Sequence, residues 1–550
     1  MAVPGKGSEP RVTSEEEDPV EALFDALLRT ETSTETSLPE PASKSTLSSL
    51  QERLWLVHQL DPGNAAYVMP CHLRLHGKLD TSALKAALQF LWQRHDALRT
   101  VFPSRHGQPA RVVLPAEALA IFEHDLSEAA DPEAWKGHYL AFHAGPFKLE
   151  AGPLFRVCLY RVAPEEHLLL IDIHHINTDG ASLDILRGEL FEVYRAFLAG
   201  RRPALPALGA SYADFIEDEA ARRESPDYAQ ALEKRVKELA GAPMRLAFPF
   251  DKPIPGTFSH RGGSLFRQYK DLSLLRQAFA CGRGEGLTPF MVVLAAYGTL
   301  LHLLTGQEDL LIGIPTSLRQ SDRFERTVGF FVNTCVARLD FGGRPNLRQI
   351  MRRTRLAVRE MINCVEAPLD YLVRALHDRR TPDRPPLIQA ALSFLVAEVS
   401  TPSEDLTIEP AYQSRDSAMF ELTMDLILQG DRGICHMEYY AEAWEKPSIG
   451  RMIDHFHAIL EAMVRRPDYP AAKINLASPQ ELRELADVLD SQPLERSIRL
   501  VPDWIGEHAR CKPQDIAIQG GGTPTSYSQL DERVALRRGQ LVALGLNVGA

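Results

Sequence analysis

Close cysteine pairs are missing from this sequence. The seven cysteines of the 550 residues (Cys71, Cys158, Cys281, Cys335, Cys364, Cys435 and Cys511) lie scattered, which argues against a zinc knuckle and a disulfide framework. Cys158, Cys335 and Cys435 sit in apolar, strand-like runs and read as core residues. An excess of positive charge is also missing: 61 Lys and Arg against 73 Asp and Glu leave a net charge of -12, the wrong sign for a nucleic-acid footprint. No uncharged apolar run is long enough to span a bilayer, and the opening Met-Ala-Val-Pro-Gly-Lys-Gly is polar where a signal peptide would be apolar, so a cytoplasmic protein without a membrane anchor is expected. Gly520-Gly521-Gly522 reads as a hairpin turn and not as a phosphate-cradling loop. What remains, 45% apolar and 24% charged residues, is the composition of a globular chain. Its length suggests roughly three to four units of about 150 residues.

Chemistry concentrates in His174-His175-Ile176-Asn177-Thr178-Asp179-Gly180. The apolar Leu168 to Ile171 before it reads as a buried strand, and the amphipathic Ala181 to Phe191 after it reads as a helix. The histidines are thus expected at a strand-to-helix turn, where a rigid element can present an imidazole. Asp179 and Gly180 supply turn chemistry, the glycine permitting a backbone that a side chain would hinder. Paired histidines alone would as readily be one packed and one solvated ring. The fixed spacing to Asp-Gly just after an apolar strand is the more specific signal.

Residues 1 to 45 are rich in Ser, Thr, Glu and Pro, a composition that does not stay folded alone. One island within them, Asp18-Pro19 followed by Val20, Leu23, Phe24, Leu27 and Leu28 at helical spacing, reads as a short acidic helix over 18–30. It either packs on the body of the protein or docks an upstream protein. From Thr46 the sequence is dense: a helix from Ser82 to His95 with Leu84, Ala87, Leu88 and Leu91 inward, then strands over 111–114, 154–160 and 167–173. A second lobe opens with helices near 271–281 and 288–305. Strands interleaved with helices indicate an α/β fold.

Several stretches bear a resemblance in the right order. His174 to Gly180 resembles the His-His-x-x-x-Asp-Gly motif of nonribosomal peptide synthetase condensation domains, relatives of chloramphenicol acetyltransferase. Ser48-Ser-Leu-Gln51-Glu-Arg53-Leu54-Trp55 resembles that family's opening motif, and Arg94 to Phe102 its second, with Arg94 and His95 readable as solvated. Ala210-Ser-Tyr212-Ala-Asp214-Phe215 is similar to its Tyr-x-Asp-Tyr motif, and Val328-Gly-Phe-Phe-Val-Asn333-Thr334 to its Ile-Gly-x-Phe-Val-Asn-Thr motif. One segment departs: Asn363 to Asp370 keeps only the proline and an acidic end of the usual His-Gln-Asp-x-Pro-Phe-Glu. Beyond Gln492, Leu500 to Leu530 resembles the beginning of an adenylation domain.

The resemblance implies two chloramphenicol acetyltransferase-like lobes forming a V-shaped pseudo-dimer with a central tunnel. The expected divisions are a flexible segment over 1–45, lobes over 46–220 and 221–485, and a linker with the truncated start of an adenylation domain over 486–550. It implies amide-bond formation between an upstream carrier-bound acyl or peptidyl thioester and a carrier-bound aminoacyl amine. His175 would face the reaction centre as base or as positioner of the amine. His174 would shape the turn, and Asp179 would pair with Arg319 from the other lobe. Gly180 is a candidate for a backbone N–H near the oxyanion; Arg99 and Asn333 are second-layer candidates, with Asn333 bracing its strand. No bound cofactor or metal is expected. The substrates would arrive on phosphopantetheine arms of an upstream donor carrier, received through the 18–30 helix, and a downstream acceptor carrier, beside the remainder of the adenylation domain. Heterocyclising relatives replace the histidines by aspartates, and the late signature of epimerising relatives is missing. A silent recruitment module of the same fold, or a starter acyltransferase using a soluble donor, are the alternatives.

Overall fold

The computed structural model describes residues 47–544, apart from 64, 106, 129–134, 377–382, 397–405, 412–416, 478, 491–500 and 520–523. The expected 18–30 helix lies outside the described residues. Two compact units divide after Leu476, ahead of the boundary expected at 485/486, so the helix Pro479–Asp490 falls in the second unit.

The first unit is built on two sheets. Val68–Gly77 (β1), Ile121–Asp125 (β2), Phe155–Ala163 (β3) and Glu166–His174 (β4) form most of the first, and Gly262–Tyr269 (β5), Asp309–Ser317 (β6), Val332–Asp340 (β7) and Ala390–Val396 (β8) begin the second. The chain then returns: Leu406–Pro410 (β9) pairs antiparallel with β1 at the edge of the first sheet. Leu422–Gln429 (β10) and Arg432–Tyr440 (β11) complete the second, giving orders β9-β1-β4-β3-β2 and β7-β6-β8-β10-β11-β5. The expected division into 46–220 and 221–485 misses this return. A five-residue strand with alternating burial gives no sequence clue to which sheet it will join.

Strand β4 is central in its sheet, which is why its pattern reads as a continuous apolar run. Leu169, Ile171 and Ile173 face the core shared with the helices Thr81–Arg94 and Gly180–Leu198. Leu168 and Leu170 face the opposite core with Trp135 and Tyr139. Pro289–Thr305, almost wholly apolar, is buried in the core of the second sheet beside Lys446–Arg465. Among the described residues, no single helix is long and apolar enough to cross a membrane.

The helices of the first half include Ser49–Leu60 (α1), Thr81–Arg94 (α2), Gly180–Leu198 (α3) and Tyr212–Arg223 (α4). A third core joins the two halves beside the histidine turn, combining Leu50, Leu54, Phe102 and Ile176 with Tyr212, Phe215, Phe330 and Phe331. In the second unit, Val501–Cys511 and Tyr527–Ala543 flank a two-stranded ladder of Ile516–Ile518 with Thr525–Ser526. Trp504, Leu536 and Leu544 are exposed there.

Candidate active site

The histidines stand where β4 ends and α3 begins. His174 is the last residue of β4, His175 to Asn177 form a single 3-10 turn, and Asp179 caps α3, its Oδ1 accepting from Ser182 N at 2.8 Å. The sequence dictates this locally: the apolar run must stay in the sheet, Asp is a strong N-cap, and Leu186, Leu190, Phe191 and Tyr194 carry α3 onto the core. Gly180 is the first helical residue, where the N–H has no intrahelical acceptor. Its φ is not positive, so the expected special backbone conformation is absent. A Cβ at position 180 would meet nothing within 4 Å; what the glycine keeps is open space.

The ring of His175 is oriented from within its own turn. Its Nδ1 lies 2.7 Å from Thr178 O, and a carbonyl only accepts, so Nδ1 carries the hydrogen and the neutral ring keeps its lone pair on Nε2. Phe330 packs edge-on against it, with ring centroids 4.7 Å apart at 60°. Burial pushes the imidazole pKa below its ordinary 6.5. The Thr178 hydrogen bond and the Asp179 charge pull it back up, and Arg53 pushes it down. The residue as a whole is nonetheless only partly buried. The site therefore holds a neutral imidazole with one nitrogen committed and the other able to accept a proton.

His174 is the other kind of ring. It is buried, its Nδ1 accepts from Ile176 N at 3.1 Å, and burial, followed by the neighbouring His58, His175 and Arg156, holds its pKa well below 6.5. Its contribution is to the shape of the turn. Asn177, which sequence reasoning did not single out, ties the same turn to the first lobe by donating from Nδ2 to Thr100 O at 2.7 Å.

Asp179 is fully buried and meets Arg319 in a two-pronged pair, Nη1 to Oδ2 at 2.7 Å and Nη2 to Oδ1 at 3.0 Å. Phe331 N donates to Oδ2 at 3.0 Å, and the guanidinium lies 4.0 Å from the centre of the Phe331 ring. Arg319 Nη2 also donates to Ser182 Oγ at 2.7 Å and Thr327 O at 3.1 Å. Ser182 Oγ in turn donates to Gly329 O at 2.9 Å and accepts from Gly329 N at 3.0 Å. The N-cap of α3 is thus the point where the second half is fastened to the histidine turn. Ser182 was missed by sequence reasoning; its place three residues after a capping Asp was the available signal.

The other sequence-derived residues lie elsewhere. The Arg99 guanidinium donates to Trp92 O at 3.0 Å, to Asp96 Oδ1 at 2.6 Å and to Leu114 O, contacts at the end of α2 and on the segments that follow it. Asn333 donates from Nδ2 to Val365 O at 2.8 Å and Ala367 O at 2.7 Å, holding the divergent 363–368 segment. Arg94 and His95, for which solvation was one reading, both meet the buried Glu189 of α3, at 2.9 Å and 2.8 Å. They join α2 to α3 behind the site. Among the described residues, no group of three or more His, Cys, Asp or Glu side chains is arranged to hold a metal ion.

Comparison with known proteins places this geometry. The family model described as "Condensation domain" matches residues 42–486. The chain is 34% identical over 521 residues to phosphinothricin tripeptide synthetase PhsB of Streptomyces viridochromogenes, covering 91% of this chain and 43% of that protein. It is 31% identical over 507 residues to malpinin synthetase of Mortierella alpina, covering 91% of this chain and 6% of that protein. The chain therefore spans less than half the length of either relative. Among solved structures, it is similar to the X-domain from teicoplanin biosynthesis (TM-score 0.70, 21% identity, covering 80% of this chain and 98% of that one). It is also similar to a four-domain nonribosomal peptide synthetase bound to AMP and glycine (TM-score 0.70, 20% identity, 92% of this chain and 39% of that one).

Proposed function

The chain belongs to the condensation-domain family of nonribosomal peptide synthetases and has that family's two chloramphenicol acetyltransferase-like lobes, and from this premise we propose that it is an acyltransferase that forms an amide bond. The amine of a carrier-bound aminoacyl group attacks the carbonyl carbon of an upstream carrier-bound acyl or peptidyl thioester. The C–N bond forms, the C–S bond breaks, and the amine proton ends on the departing thiol. The observation that carries the reading is His175: Nδ1 committed to Thr178 O, the pKa below its ordinary value, and a residue that is only partly buried. Nε2 then accepts the proton of the attacking amine or orients that amine by a hydrogen bond. Gly180, at the head of α3, offers a backbone N–H to the charge that develops on the carbonyl oxygen.

The substrates arrive on phosphopantetheine arms of two carrier proteins, which reach the imidazole through a passage between the lobes. The upstream carrier docks through the 18–30 segment, and deletion of residues 1 to 45 is expected to abolish its pull-down. Trp504, Leu536 and Leu544 of the second unit pack against the remainder of an adenylation domain. A condensation assay with both carriers loaded tests the reading. The amide-linked product is expected on the acceptor carrier, and its complete absence with folded protein and loaded carriers would refute it. That outcome would favour a silent recruitment module, a second reading motivated by likeness to the teicoplanin X-domain, which has been solved in complex with OxyB.

Gly180→Val probes the space in front of α3. Because a Cβ there meets nothing, the variant is expected to melt with the wild type. Its branches would occupy the space beside the reacting groups, and condensation is expected to fall by at least about tenfold. Unchanged turnover in the valine variant would show that no substrate passes that position.

A further inference from the structure

We infer that Gln51 and Tyr212 are positioning residues for His175, because with Ser48 they link the peptide that follows the imidazole to the segment whose phenyl ring packs against it. The inference rests on the reading that His175 is the acting residue. Gln51 Nε2 donates to Ile176 O at 3.1 Å, and Gln51 Oε1 accepts from Ser48 N at 3.4 Å. Gln51 N donates to Ser48 Oγ at 3.1 Å, and Ser48 Oγ lies 2.9 Å from Tyr212 Oη. Tyr212 Oη donates to Phe330 O at 2.6 Å. Since the phenol has a single hydrogen and a carbonyl only accepts, the direction is fixed: the Ser48 hydroxyl donates to Tyr212, and Tyr212 donates to Phe330.

Both ends of this chain terminate beside His175, on Ile176 O and Phe330 O. Ile176 is the next residue, and the Phe330 ring stands 4.7 Å from the imidazole. Every member is buried: Ser48, Gln51, Ile176, Tyr212 and Phe330. The contact with Tyr212 is close enough that a Cβ at Gly329 would come within 2.1 Å of its ring. The first helix, the turn and the second half are therefore locked in one register, and a fully satisfied buried network favours one arrangement over its neighbours. Neither residue touches the imidazole; they act through Ile176 and Phe330. The charged and titratable groups that act on the ring are Asp179, Arg53 and His174, and none of them belongs to this network.

The test uses the full chain and the variants Tyr212→Phe, which loses one hydroxyl, and Gln51→Met, which keeps length but cannot donate. The His175 imidazole is titrated by NMR, its signal assigned by its loss in His175→Ala, and condensation kinetics are measured on the same proteins. Loosened packing of Phe330 admits water, so the titration of the ring is expected to move up in both variants. The turnover number is expected to fall about tenfold with KM for the loaded carriers changed less than about twofold. Glu189→Gln, which weakens the Arg94 and His95 contacts behind the site, serves as control: it is expected to lower the melting temperature without moving the His175 titration. If a variant does not melt cooperatively, Ser48→Ala opens the same network and is read in the same way. A His175 titration that stays in place in folded Tyr212→Phe and Gln51→Met overturns the inference. A titration that moves while turnover holds supports the positioning role and rejects the action of His175 itself.

Discussion

Replacement of His175 by alanine is expected to lower the turnover of amide formation by about 10²–10⁴-fold, the range a positioned acid–base group contributes, while the protein keeps its fold. The side chain makes one hydrogen bond, to Thr178 O of its own turn, and one edge contact with Phe330; its removal takes the donor from that carbonyl, at a cost of about 1–3 kcal/mol, and leaves the other contacts of the turn in place. The pH profile carries the same information. The neutral ring is the competent form, and burial holds its pKa below 6.5. Turnover is therefore expected to be level above 6.5 and to decline only as the pH falls below that value, through the folded pKa. His175→Asn separates the two roles: an amide side chain can orient an amine but cannot take its proton at these pH values. Asparagine restoring most of the rate and abolishing the acid decline would identify a positioner; asparagine as inactive as alanine would identify a base. Alanine turning over as fast as wild type would remove His175 from the reaction altogether.

How much of this was legible in the sequence varied with the range of the interaction. The strand, turn and helix around His175 could be read because each is decided locally: an apolar run, a capping Asp and an amphipathic stripe. Arg319 as partner of Asp179 follows only from the family resemblance, since nothing local to either residue points to the other across 140 positions. The return of Leu406–Pro410 to the first sheet was invisible, because alternating burial specifies a strand but not its neighbour. That Arg94 and His95 meet Glu189 was not legible for a related reason. A charged end of a helix looks solvated unless one knows that Glu189, one helix away, is buried against it. The Gln51, Ser48 and Tyr212 contacts were likewise hidden, as each of these residues is an ordinary cap or aromatic until the fold brings the three together.

The largest stability effect is expected at Arg319. Arg319→Ala leaves the carboxylate of Asp179 buried without its counter-ion, with Ser182 N and Phe331 N as its remaining donors. Breaking one side of a buried pair typically costs about 3–5 kcal/mol, a large part of the total stability of most domains. Asp179→Ala is expected to cost a similar amount, since it strands the guanidinium and also removes the N-cap of α3, itself about 1 kcal/mol. The informative measurement is the double variant. Once the partner is gone, removing the second charge relieves a buried, uncompensated group, so Asp179→Ala with Arg319→Ala is expected to unfold at less than the sum of the single costs in a denaturant titration. Strict additivity would mean that each residue is held by its other contacts, Arg319 by Ser182, Thr327 and the Phe331 ring, and Asp179 by its two N–H donors. The pair would then be a consequence of the joint between the halves and not its cause. Because Phe331 N hangs on the Asp179 carboxylate and the adjoining Phe330 ring packs on His175, the single variants are also expected to lose turnover at temperatures where they remain folded.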